Sequence, residues 1–388
     1  MEQTTAGTAS STGRRSELPR LIVALLFFLL ALLALLPAPT FLFWQLAVLA
    51  TEWGYGLVPV GLLLLWPGWQ RSRRGRVAAL LALAGILLLV SPLLRAIPPA
   101  RRLPAELQQA FGPVSLHGAP LSARDVLRGI TQETVESRRL VYATVAGSDL
   151  ELDFYPATGA AAAPMVIVIH GGSWSGGDSS QLAALNSYLA VRGYAVAAIN
   201  YRLLPRWPYP AASEDVLAAL QFLKNNAADL NLDPTRIVLL GRSAGAQLAL
   251  EAAYTANDPA IRGAISFYGP VDLRYGYANP ANPLVIDSRG TLEAYLGGAP
   301  DQAPQAYDRA SPIALVGPQA PPTLLFHGAR DELVSPAQSR RLAELLAALE
   351  RPHVLVELPW ATHGFDFNFG GPGGQLSTYA VEYFLAAV

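Results

Sequence analysis

The 388-residue chain contains no cysteine, which excludes a disulfide framework, a thiolate metal site and a cysteine nucleophile. It contains one lysine, Lys224, and its formal net charge is −1. No basic tract is present, so nothing in the charge pattern calls for a nucleic-acid partner. Histidine is scarce as well. Five residues, at 117, 170, 327, 353 and 363, are the whole supply of imidazole for general-base chemistry. What the chain has in excess is apolar sequence, 52% of it, concentrated in the first hundred residues. The remainder, about 290 residues, is enough for one large α/β domain.

Residues 1–19 are Ser/Thr-rich and polar, with Arg14 and Arg15, and read as a disordered tail. Residues 20–96 hold three apolar stretches: Leu21–Leu36, then about Phe41–Trp66, then Val77–Leu94. Each is near the ~20 residues that cross a bilayer, and a cleaved signal peptide accounts for the first alone. Three transmembrane helices are therefore expected. Glu52 is the weak point, because a carboxylate in lipid needs a partner or the headgroups. Trp44, Trp53, Tyr55, Trp66 and Trp69 are candidate interfacial anchors. Arg14, Arg15 and Arg20 precede the first stretch, and Arg71, Arg73, Arg74 and Arg76 crowd the loop before the third. The positive-inside rule then puts the N-terminus in the cytoplasm and everything after Leu94 outside, in an integral protein of the cell membrane. Arg95, Arg101 and Arg102 run against that orientation.

Residues 97–135, with Pro98, Pro99, Pro104 and Pro113, read as a linker or cap. From 136 to 388 the pattern alternates strand and helix. Leu140–Val145 and Leu150–Tyr155 suggest a hairpin around Gly147; Pro164–Ile169, Ala195–Asn200, Ile237–Leu240, Ala264–Tyr268, Thr323–Phe326 and Val354–Leu358 are apolar runs of buried-strand length. Helical patterns separate them at 180–192, 214–225, 337–349 and 375–387. An α/β fold with a mostly parallel sheet covered on both faces follows.

Gly241-Arg242-Ser243-Ala244-Gly245 fits G-x-S-x-G between a strand and a helix, the turn that lifts a serine hydroxyl off a sheet edge. Glycine at 241 and 245 removes side chains that a sharp elbow could not hold. Active groups of an open α/β sheet collect at the C-terminal ends of its strands. His363 lies on a loop there, after the last strand, whereas His170 and His327 read as turn residues. Asp331 follows a buried strand 32 positions before His363, giving the order Ser, Asp, His; Glu332 is its neighbour and alternative. His170-Gly171-Gly172-Ser173-Trp174 follows another strand and offers backbone N–H groups of Gly171 and Gly172, with that of Ala244, for an oxyanion. No Walker lysine follows it, so a phosphate cradle is not the reading.

These motifs, with Asn200-Tyr201-Arg202-Leu203, Tyr209-Pro210-Ala211-Ala212-Ser213-Glu214-Asp215-Val216 and Asp233-Pro234-Thr235-Arg236-Ile237, resemble the esterase/lipase branch of the α/β-hydrolase superfamily. The likeness covers roughly residues 138–388 and is similar to the hormone-sensitive-lipase-like and feruloyl-esterase-like carboxylesterases. It implies the α/β-hydrolase fold, with Ser243 as nucleophile, Asp331 as acid and His363 as base. It departs at Arg242, where hormone-sensitive-lipase-like members usually carry aspartate. The expected activity is cleavage of a small-molecule or lipid ester through an acyl-enzyme, with no cofactor and no metal. Acyl transfer and amide or peptide hydrolysis would use the same three residues, and a non-catalytic binding module anchored to the bilayer is the alternative of another class. Residues 272–310 read as a lid. Trp174, Tyr268 and Phe365 are candidate pocket residues, with core packing as the other role open to each.

Overall fold

The computed structural model describes residues 12–66, 72–116, 118–130, 133–159 and 162–388, with side chains from Glu17 onward. The first eleven residues, the side chains of Arg14 and Arg15, and Trp69, Arg71 and His117 lie outside the described residues.

Strong β-formers with apolar side chains on both faces build the centre of one eight-stranded sheet. Its strands are Arg138–Val145 (β1), Ser148–Tyr155 (β2), Ala163–Ile169 (β3), Ala195–Ile199 (β4), Leu232–Arg242 (β5), Ile261–Phe267 (β6), Thr323–Gly328 (β7) and His353–Leu358 (β8). They lie in the order β1-β2-β4-β3-β5-β6-β7-β8. β1 pairs antiparallel with β2, and β2 with β4; every other pairing is parallel. Val166, Val168, Val238, Leu240, Ile265 and Phe326 feed one apolar layer, and their neighbours Ile167, Ile169, Leu239 and Leu325 feed the layer on the opposite face. This is the mostly parallel, doubly covered sheet that the strand–helix alternation predicts.

Before the sheet come five helices, Thr12–Leu32 (α1), Phe41–Glu52 (α2), Val58–Leu64 (α3), Arg73–Phe111 (α4) and Ala123–Arg128 (α5). Nine more follow among the described residues. Ala183–Val191 (α6), Ala211–Asn225 (α7) and Ala244–Thr255 (α8) cross between strands. Leu273–Ala278 (α9), Ser288–Leu296 (α10), Pro304–Ala310 (α11) and Pro312–Leu315 (α12) make up the long insertion after β6. Ala337–Ala348 (α13) and Pro372–Ala387 (α14) complete the set.

The N-terminal region differs from three separate spans. Among the described residues, α4 alone is long and apolar enough to cross a membrane, and α2 with the Gly54–Leu64 segment reaches that only as a pair bent by 80°. Gly54, Gly56 and Pro59 fall at the bend, as residues that weaken or end a helix would. α1 starts at Thr12, inside the stretch expected to be a polar tail, and packs along α4. Their seam is made of small side chains, Ala24, Ala31, Ala78 and Ala82, around Phe27, which lets the two backbones approach. The outward faces carry exposed Leu25, Leu26, Leu29, Leu80, Leu83 and Leu87.

α4 also overrides the expected linker. It runs unbroken through Pro92, Pro98, Pro99 and Pro104 to Phe111. Buried Pro92, Ala96, Pro99, Leu103 and Leu107 recur every three or four residues, so one stripe faces inward along the whole C-terminal half. Ala96, Leu103 and Leu107 join the core layer shared by β8 and α14. That burial offsets the hydrogen bonds the prolines cannot donate.

The remaining ties are polar. Arg330 donates to the carbonyls of Ala34 and Leu36 at 2.7 Å each, covering acceptors that the end of α1 leaves open. Glu332 accepts the Ala38 N–H at 2.8 Å. Glu52 is fully buried, and its carboxyl oxygens accept the Trp360 Nε1–H and the Gly373 N–H, both at 3.0 Å. The partner that a carboxylate in an apolar segment requires is therefore the sheet domain. Glu52→Ala leaves two buried donors unmatched, at roughly 1–3 kcal/mol each. We expect a clearly lower unfolding temperature for the full chain in detergent, against no change for Glu344→Ala on exposed surface.

Candidate active site

β5 ends in the turn at Ser243, and α8 starts at Ala244. Ser243 sits at φ 53°, ψ −122°, a conformation costly for a side-chain-bearing residue. Packing enforces it. A Cβ on Gly241 would fall 2.1 Å from the Gly245 carbonyl oxygen, and one on Gly245 would fall 2.3 Å from the His170 oxygen. Neither contact is possible, so both positions must be glycine for the elbow to close against β3.

Three chain segments meet at this edge. His363, on the loop after β8, has Nε2 3.0 Å from Ser243 Oγ and Nδ1 2.7 Å from Asp331 Oδ2. The partners fix the tautomer: Nδ1 donates to the carboxylate and Nε2 accepts from the hydroxyl. Asp331, on the loop after β7, accepts the N–H groups of Leu333 and Val334 on Oδ1, each at 2.9 Å. Glu332 points instead to Ala38. His327 is fully buried; its Nε2 lies 3.3 Å from Asp331 Oδ2 and donates to the Val334 carbonyl at 3.0 Å, while Nδ1 pairs with Ser339 Oγ at 2.7 Å. Burial alone would raise the Asp331 carboxyl, but facing His363 and the hydrogen bond from His327 hold it well below the usual carboxylate range. It stays ionised, ready to orient an imidazole and balance its charge.

The His-Gly-Gly loop packs directly on the elbow: a Cβ on Gly171 would sit 2.9 Å from the Arg242 oxygen and 3.1 Å from Ser243 Cβ. Of the expected oxyanion donors, the Gly171 N–H is already given to Gln181 Oε1 at 2.9 Å. Gly172 and Ala244 are the other two. His170 serves the loop itself, with Nδ1 2.8 Å from the Gly171 oxygen and its ring stacked on Tyr201 at 4.3 Å.

Asp366, which the sequence did not single out, and several residues expected in other roles hold this geometry. Arg242 turns away from the reaction side, and its Nε donates to Asp366 Oδ2 at 2.5 Å with both side chains buried. Asp366 also accepts the Tyr268 hydroxyl at 2.6 Å. The Tyr268 ring lies 4.3 Å from that of His363, so it supports the imidazole instead of lining the cavity. Phe365 packs edge-on beneath Tyr268 in the core. From the N-terminal helices, Trp44 Nε1 donates to the His363 carbonyl at 3.3 Å. The signal for Arg242 was its departure from the usual elbow; none marked Trp44.

A cavity of about 530 Å³ opens beside Ser243, lined by Trp174 and Ala244 on the sheet side and by residues of the 270–292 insertion and 331–338 on the other. Trp174 is fixed from behind, stacked on Tyr295 at 4.1 Å and donating to Gln247 Oε1 at 3.0 Å. Gln247 Nε2 in turn donates to buried Glu251 at 2.6 Å. Burial pushes the Glu251 carboxyl up to about 7, against the hydrogen bonds from Ser213, Gln247 and Tyr209. Other motif residues are structural ties: Arg202 Nε donates to Asp215 Oδ1 at 2.8 Å, and Arg236 Nε donates to Asp233 Oδ2 at 2.7 Å. Among the described residues no cluster of His, Asp and Glu is arranged for a metal ion.

The chain is similar to known proteins in sequence and in fold. The BD-FAE family model matches residues 152–346, half of the chain. The probable carboxylic ester hydrolase LipM of Mycobacterium tuberculosis is 34% identical over 240 residues, 58% of this chain and 54% of that one. The esterase LipC of the same organism is 32% identical over 241 residues, 58% of this chain and 59% of its own. The chain thus spans about half the length of the curated relatives it matches. A thermophilic esterase from Thermogutta terrifontis superposes with a TM-score of 0.53 at 25% identity, over 63% of this chain and 89% of that one.

Two measurements test the supports. Asp366→Ala strands the buried Arg242 charge and should cost about 3–5 kcal/mol in denaturant unfolding. The double variant Arg242→Met/Asp366→Leu should recover much of that loss, because no unpaired charge remains. Glu251 binds its proton more tightly folded than unfolded, so its contribution to stability is fullest below about 4.5 and falls as pH rises to about 7. Glu251→Gln should flatten the unfolding temperature across that window, while an unchanged profile would assign the dependence elsewhere.

Proposed function

The chain belongs to the BD-FAE family, and we propose that it is a membrane-anchored serine hydrolase that cleaves carboxylic esters through an acyl-enzyme intermediate. The observation that carries this reading is the continuous relay of Ser243 Oγ, His363 and Asp331, at 3.0 and 2.7 Å, on the edge of the cavity. The esterase relatives and the esterase structural neighbour support it.

In the proposed reaction His363 Nε2 takes the Ser243 proton as Oγ attacks the ester carbonyl carbon. The tetrahedral oxyanion is met by the N–H groups of Gly172 and Ala244, with Gly171 joining once Gln181 is displaced. The carbon–oxygen bond to the alcohol then breaks, and His363 passes its proton to the departing oxygen. Water adds to the acyl carbon, giving its proton to His363. The acid leaves as Ser243 recovers its hydrogen. Asp331 holds the imidazole in register and stabilises its charged form, and no cofactor or metal enters any step.

The anchoring half of the proposal rests on how the N-terminal helices are arranged. Arg20, in the N-terminal half of α1, donates from Nε to the Leu64 oxygen at the end of α3 at 3.0 Å. The start of α4, with Arg73, Arg74 and Arg76, lies at that same end, where Ser72 pairs with Glu17. The opposite end of α1 docks on Arg330. Arginines at one end and the catalytic domain at the other support an N-terminus in the cytoplasm and a catalytic domain outside it.

The test is turnover of p-nitrophenyl acyl esters by the full chain in detergent. Ser243→Ala should lower kcat by about 10⁶-fold and Asp331→Asn by about 10⁴-fold, with folding unchanged by circular dichroism. Wild-type turnover that survives Ser243→Ala would overturn the assignment.

A further inference from the structure

One loop has two faces. Between α9 and α10, Pro280, Ala281 and Ile286 line the cavity beside Ser243. Leu284, two residues from Ile286, is 69% exposed. Val285 between them is buried with Ala38, Trp44 and Val48 of the N-terminal helices. The loop is stitched to those helices: the Phe41 N–H donates to the Leu284 oxygen at 3.0 Å, and Asn282 Nδ2 donates to the Pro39 oxygen at 3.2 Å. On the other side of the cavity mouth, Leu333 lines the cavity and packs against the same Trp44 cluster. The wall between the cavity and the apolar helices is therefore a single turn of chain.

The outer face of that wall is continuous with the apolar belt. Leu35 and Leu36, just after α1, and Phe41 and Leu42, at the start of α2, are all exposed, and the Phe41 N–H meets the Leu284 oxygen. From there the exposed leucines of α1 and α4 carry the surface along α4, the one helix among the described residues long and apolar enough to cross a bilayer. Leu284, on the sheet domain, is bare where its loop meets these helices. Exposed apolar surface of this extent marks an interaction with membrane or partner.

We infer that the substrate is a bilayer-resident ester with a long acyl chain, which passes from the membrane over the Leu36–Phe41–Leu284 lip into the cavity beside Ser243. This rests on the proposed ester hydrolysis and names its substrate class. Ester plus water gives the fatty acid and the alcohol; the apolar chain stays against apolar surface from bilayer to cavity, and only the ester group meets the polar relay. The cavity, about 530 Å³, is in the range of sites for drug-sized ligands and far exceeds what an acetyl group fills.

The experiment uses the full chain in phosphatidylcholine vesicles carrying 4-methylumbelliferyl oleate, with p-nitrophenyl butyrate added to the water as the soluble probe. For the wild type we expect hydrolysis of both. Leu284→Glu should lower the ratio of oleate to butyrate rates about tenfold, the scale of one leucine's apolar contact. Leu127→Glu, an exposed position of α5 that does not line the cavity, should leave the ratio as it was. Hydrolysis of butyrate without oleate, or a ratio untouched by Leu284→Glu, would overturn the inference and leave ester hydrolysis standing. A dimer that Leu284→Glu dissolves while the ratio holds would give the lip to a second copy instead. Failure on both esters by folded wild type would remove the ester-hydrolase reading itself.

Discussion

Ser243 and His363 are 120 residues apart in the chain, and a proton can pass between them only if their loops stay within a hydrogen bond of each other. The buried Arg242–Asp366 ion pair fixes that spacing. Arg242 belongs to the elbow and Asp366 to the histidine loop, so the pair spans the same gap as the relay, one layer below it. Tyr268 joins both ends by hydrogen-bonding Asp366 and lying against the His363 ring. A buried charge pair tolerates little change in length, since either partner left alone is strongly destabilising. The elbow contributes strain and the pair contributes distance; both are needed for the imidazole to meet the hydroxyl.

The acid loop and the histidine loop are held from outside as well. Arg330 and Glu332, on either side of Asp331, grip the turn between α1 and α2. Trp44 and Glu52 of α2 grip the histidine loop at His363 and Trp360, and the start of α14 at Gly373. The N-terminal helices are thus packed into the walls of the site, and an apolar segment that reads as an anchor also acts as part of the scaffold.

What could be read from sequence was what is written locally. Runs of Val, Ile and Leu of strand length placed all eight strands to within a few residues, except that β5 begins at Leu232, five residues early. Glycines at 241 and 245 located the elbow because their spacing reflects a clash that any other residue would create. Ser243, Asp331 and His363 were legible from their places after apolar strands. Pairs such as Arg242 with Asp366 or Trp44 with His363 leave no local trace, since each residue alone is compatible with many environments. Tyr268 and Phe365 drew notice as aromatics near the site, yet aromaticity does not say whether a ring faces a cavity or a histidine. Pro98, Pro99 and Pro104 of α4, with Pro113 beyond it, argued for a linker, and the buried stripe that outweighs them shows only when prolines are counted by face.

α4 spans 39 residues without a break, a rod of roughly 58 Å at the helical rise. Its first half belongs to the apolar bundle and its second half to the core of the sheet domain. With no break in the helix between them, the sheet domain is held rigidly on its stalk. The mouth at Ser243 is therefore carried at one height and one azimuth relative to the helices that hold it. Anchored in a bilayer as proposed, such a protein would search by lateral diffusion in two dimensions and meet only those bonds that lie at its own depth.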